Sequence, residues 1–108
     1  MEERRKNPRA AADFAARLTV GQETIEGRVR DICRDAVLVQ AARSYPLQTP
    51  VRLEMELPGQ PAGIRASGKV VRLAANERGP HGMAILFDDE LPPDTALRID
   101  LFVQNAER

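Results

Sequence analysis

The chain has 108 residues, enough for one domain with its own core but too few for a second. Sixteen basic and sixteen acidic residues cancel, so no global field draws it to nucleic acid or to an anionic membrane, and any anion must be held locally. No Trp, one Tyr and three Phe leave little stacking surface for bases, one Cys excludes an internal disulfide, and a single Cys and a single His argue against a His/Cys metal cluster or thiol catalysis.

No stretch approaches the roughly 20 apolar residues of a membrane span, and no charged-then-apolar leader opens the sequence. The expectation is a cytoplasmic, non-enzymatic binding module without membrane insertion.

In chain order, residues 1–12 read as a basic arm, with Arg4, Arg5, Lys6 and Arg9 close together and Pro8 disfavouring helix at Asn7. Phe14, Ala16, Leu18 and Val20 then fall at every second position, the period of a strand with one face on a core. Gly21-Gln22 turns the chain, and Ile25, Gly27 and Val29 carry the period on to Asp31. After a break at Cys33-Arg34-Asp35, Ala36 to Ala42 reads as a more fully buried strand.

Pro46 and Pro50 bracket a loop, and Val51, Leu53, Met55 and Leu57 alternate with charged residues as the least ambiguous strand. Pro58, Gly59, Pro61 and Gly63 mark the next turn. Ile64 to Leu73 is a long strand whose alternation slips at Val70-Val71, which a bulge would explain. Asn76 to Gly82, with His81 in it, reads as a polar loop before a sixth strand at Met83, Ile85 and Phe87.

After Pro92-Pro93, Asp94 suits a helix N-cap, with Leu97, Leu101 and Gln104 sharing one side. Leu97, Ile99, Leu101 and Val103 also alternate, so periodicity alone admits a seventh strand. Six short strands spaced by turn signals point to a closed or nearly closed antiparallel barrel over 13–91, followed by a C-terminal helix over 92–108.

Two patches carry chemistry. Arg5 and Arg9 form an Arg-x-x-x-Arg pair whose planar donor forks suit a phosphate or the O6/N7 edge of guanine, though taken alone they read as a solvated tail. Asp31, Cys33 and Ala36 lie where the second strand turns into the third. A carboxylate there can accept from guanine, although such an Asp is more often a turn-former.

Together these patches resemble the PilZ family. In that family an Arg-x-x-x-Arg arm precedes a six-stranded barrel, an Asp/Asn-x-Ser-x-x-Gly turn follows the second strand, and a Gly-x-x-x-x-Phe-like pattern precedes a C-terminal helix. This chain shows Arg5-Lys6-Asn7-Pro8-Arg9, then Asp31-Ile32-Cys33-Arg34-Asp35-Ala36, then Gly82-Met83-Ala84-Ile85-Leu86-Phe87. The resemblance implies a six-stranded antiparallel β-barrel with a terminal helix that serves as a receptor for cyclic di-GMP, a bacterial second messenger, with no further cofactor. It assigns Arg5 and Arg9 to phosphate and guanine, Asp31 to a guanine edge, and Cys33 and Ala36 to the remaining motif positions of the ligand site.

Three departures oppose binding. Cys33 replaces a hydroxyl with a weak donor, Asp35 adds negative charge beside the expected phosphates, and Ala36 brings a Cβ where the family has glycine. The alternative reading is a PilZ-like protein-interaction domain without nucleotide, regulating motility or surface behaviour through an unidentified protein partner.

Overall fold

The computed structural model describes residues 9–60, 63–74, 81–88 and 91–106. Alternating side chains give six strands: β1 Arg9–Val20, β2 Glu23–Cys33, β3 Ala36–Ala41, β4 Pro50–Met55, β5 Ile64–Ala74 and β6 His81–Phe87, followed by one helix, α1 Pro93–Ala106. They close in the order β1-β2-β3-β6-β5-β4 into a barrel in which each neighbouring pair is antiparallel. The expected barrel and helix are both present.

Residues 9–12, read from the sequence as the end of the arm, belong to β1. The Gly21-Gln22 turn links Val20 directly to Glu23, its Cα partner, and only Gly21 takes a positive φ, of 61°. That is the signature of a two-residue II′ hairpin, whose twist matches the strands it joins. β3 differs from expectation: Val37, Val39 and Ala41 are buried while Ala36, Leu38 and Gln40 are half-buried, so one face points outward. His81 opens β6 opposite Ala41 instead of lying in the preceding loop.

Inward residues from every strand fill the barrel, among them Leu18, Val29, Val39, Leu53, Val70 and Ile85. The register slip foreseen on β5 is present between Val70 and Arg72, leaving Val71 as the extra, exposed residue. The β3–β4 loop lies against this bulge, with Gln48 N–H donating to Val70 O at 2.6 Å and Val70 N–H to Thr49 O at 3.0 Å.

α1 closes one end of the barrel. Pro92 C=O accepts the first helical bond from Ala96 N–H at 3.0 Å, so Pro93 is the first helical residue and Asp94 sits inside the first turn, not at the cap. Thr95, Ile99 and Val103 are buried, and the half-buried Phe102 meets Phe14 edge to face, with ring centroids 5.7 Å apart. Leu97 and Leu101 do share one side of the helix, as expected, and that side faces outward, at 55% and 46% exposure. Two stripes of helical spacing compete here, and the one carrying Ile99, Phe102 and Val103 brings the larger apolar area to the core.

Candidate functional site

The β2–β3 connection is two residues long, Arg34-Asp35, between Cys33 at the end of β2 and Ala36 at the start of β3. The β1–β2 ladder ends beside it, with Arg9 the Cα partner of Cys33 and Ala11 that of Asp31. Strand pairing therefore gathers Arg9, Asp31, Cys33 and Ala36 at one end of the barrel from three strands. Arg5 lies outside the described residues.

A pair of register slips sets which way this end faces. β2 carries one extra residue, Arg30, between Val29 and Asp31 against β3, and β1 slips between Ala11 and Phe14 against β2. Without the slip, the period of two that buries Val29 would also bury Asp31. With it, Ile32 is fully buried while Asp31 and Cys33 stay half-buried on the outer side.

Asp13 ties the two slips together, a role the sequence did not announce. Its carboxylate accepts from Arg28 Nε at 2.7 Å and pairs with Arg30 at 3.2 Å, while Arg28 Nη2 also reaches the Asp13 carbonyl at 3.2 Å. The Arg28 hydrogen bond, then the charges of Arg28 and Arg30, hold the Asp13 carboxyl below the ordinary aspartate range.

The turn is held from two sides. Phe87 N–H donates to Asp35 O at 2.8 Å, fixing it to β6, while Arg34 forks onto Asp100 of α1, with Nε to Oδ1 at 2.9 Å and Nη2 to Oδ2. The hydrogen bond to Asp100, and then its charge, strengthen the hold of the Arg34 guanidinium on its proton. These partners lie far apart in sequence, so no local spacing signals them.

Among the described residues, Gln48 is the only non-glycine with positive φ, at 74°. Ala36 therefore bears no left-handed strain, and the penalty expected from replacing glycine reduces to the space its Cβ takes from a ligand. Ala36 stands opposite Leu86, and Leu38 opposite Ala84, so the outer face beside the turn is apolar. The Cys33 thiol is free and half-buried. Two clefts, of about 540 and 490 Å³, lie elsewhere, along β1, β4 and β5, and share Glu54 and Arg65.

The family model for the PilZ domain matches residues 3–105. The chain belongs to the PilZ domain family. No curated protein matches it in sequence. Among solved structures it is similar to the Bacillus subtilis inhibitor of motility MotI/DgrA, with a TM-score of 0.85 at 17% identity over 98% of this chain and 52% of that one. It thus spans about half the length of that protein. The PilZ domain of Escherichia coli YcgR with c-di-GMP gives a TM-score of 0.74 at 13% identity, covering 98% of this chain and 93% of that one. Borreliella burgdorferi PlzA in complex with c-di-GMP gives 0.71 at 16% identity, covering 93% and 41%. At these identities the likeness is one of fold. As a PilZ domain, the chain falls among regulatory binding modules. None of its helices is long and apolar enough to cross a membrane, among the described residues.

Proposed function

We propose that this PilZ domain is a cytoplasmic module that binds cyclic di-GMP at the β2–β3 turn. Arg5 and Arg9 supply guanidiniums, Asp31 a carboxylate for a guanine edge, and Cys33 and Ala36 line the turn. The observation that supports this most is the pairing of Arg9 with Cys33 and Ala11 with Asp31, which brings the end of the first motif onto the second. The family match and the c-di-GMP complexes of YcgR and PlzA lend it the ligand.

A second reading has its own support. Asp35 is exposed in the turn, where its carboxylate opposes an incoming phosphate, and Cys33 offers only a weak donor. A PilZ domain that has given up the nucleotide would act through protein contacts alone, in the control of motility or surface behaviour. Calorimetric titration of the purified domain with cyclic di-GMP separates the two: saturable heat at one site is expected, and its absence up to millimolar nucleotide would leave the protein-contact reading.

A further inference from the structure

The two-residue link Arg34-Asp35 carries a contact that the motif does not assign. Arg34 reaches across 66 positions to fork onto Asp100 in the middle of α1. A bidentate guanidinium–carboxylate pair fixes distance and plane together, which a single point contact does not. The Asp100 side chain is 23% exposed, so water screens this pair less than it screens the outer ion pairs, whose carboxylates are 42–62% exposed. α1 is itself anchored: Ile99 and Val103 are buried, Gln60 Nε2 donates to Arg98 O at 2.9 Å, and Arg98 Nε donates to Gln60 Oε1 at 2.8 Å.

The turn thus hangs between two fixed points, β6 through Asp35 O and the barrel's end helix through Arg34. Cys33 next to it is the partner of Arg9, so the position of the turn also sets where β1 begins beside it. We propose that the Arg34–Asp100 ion pair is the positioning device of the β2–β3 turn, making α1 an energetically coupled part of the ligand site without touching the ligand. The functional consequence rests on the cyclic di-GMP reading, whereas the coupling of turn and helix rests on the geometry alone. Arg34 is here a positioning residue. Were it instead a phosphate contact held back by Asp100, removing Asp100 would release it and tighten binding, so the two roles differ in sign.

Coupling is reciprocal: if α1 holds the turn ready for nucleotide, nucleotide on the turn must in turn hold α1. The test uses the wild-type domain, Arg34→Ala, the near-isosteric Asp100→Asn, and the double variant, each confirmed folded by circular dichroism. Cyclic di-GMP is titrated into each, and amide exchange is followed with and without it. Each single variant is expected to bind on the order of two- to five-fold more weakly, the scale of one partly exposed ion pair, and the double variant no more weakly than either. Nucleotide should slow exchange in α1 of the wild type and fail to do so in Asp100→Asn. Equal or tighter binding by Asp100→Asn, or additive losses in the double variant, overturns the proposal. If the wild type takes up no nucleotide, the ligand reading fails and the exchange data alone decide the coupling. Faster exchange at both 33–37 and α1 in each single variant, not increased in the double, sustains it; faster exchange confined to the substituted element refutes it.

Discussion

Arg9 stands opposite Cys33 at the end of the β1–β2 ladder, so the last arginine of the first motif and the central residue of the second are cross-strand neighbours. Directly opposed residues of an antiparallel pair have Cα atoms about 4.5–5.5 Å apart, so one small ligand spans both backbone positions. This adjacency comes from register, and the register comes from the slip at Ala11/Phe14.

Removing either arginine should weaken nucleotide binding. Arg5→Ala and Arg9→Ala are each expected to lose roughly 1–3 kcal/mol, the scale of one bidentate guanidinium contact, with both losses shrinking as salt screens the exposed charges. Calorimetry at two salt concentrations measures this. Unchanged affinity in both variants removes the arm from the site.

Restoring the family pattern should strengthen binding. Cys33→Ser, Asp35→Gly and Ala36→Gly together return a hydroxyl donor, remove a charge that repels phosphate, and clear the Cβ of Ala36. Because Ala36 sits at negative φ, its replacement relieves no strain. Each added glycine is expected to reduce folding stability by about 0.4–1 kcal/mol, through the greater freedom of the unfolded chain. Tighter binding with a lower melting temperature is the expected pair of results.

Gly68 tests the barrel itself. A Cβ built there would stand 2.3 Å from the backbone oxygen of Leu86 on β6, which cannot move without disturbing the β5–β6 ladder. Gly68→Ala should therefore destabilise the fold by roughly 1–3 kcal/mol, the usual scale of overpacking, read as a fall in the urea midpoint.

Tyr45 gives a pH dependence. Burial, and then the hydrogen bond to Glu23 at 2.9 Å, raise its phenol above the ordinary value. The folded state therefore holds this proton more tightly than the unfolded chain does. The resulting stability is complete below about pH 10 and is lost as pH rises through the raised folded value. Tyr45→Phe, which has no proton to lose, is expected to be less stable at neutral pH but flatter above about pH 10, as urea midpoints across that range will show.

Much of the barrel was legible because strand burial has a period of two that survives in the residue types of β1, β4 and β6, and because Gly and Pro punctuate it. The slip at Val70-Val71 was visible for the same reason, since a break in alternation is itself a signal. The slip before Asp31 left only the three-residue step from Val29 to Ile32, set among the polar Arg28, Arg30 and Asp31 and close to the turn. The outward turn of Leu97 and Leu101 was hidden by two apolar stripes of equal spacing on one helix. Of the candidate site, the motif residues were readable. What holds them depends on partners 15 and 66 positions apart: the β1–β2 hairpin brings Asp13 to Arg28, and the packing of α1 on the barrel brings Asp100 to Arg34.

The central claim, that nucleotide sits on the β2–β3 turn beside the start of β1, is tested most directly by amide chemical-shift mapping on the isotope-labelled wild-type domain during addition of cyclic di-GMP. Saturable shifts should concentrate at residues 9–12 and 31–37. Saturable shifts confined to the clefts lined by Arg17, Arg52, Glu54 and Arg65, with the turn unmoved, would contradict it.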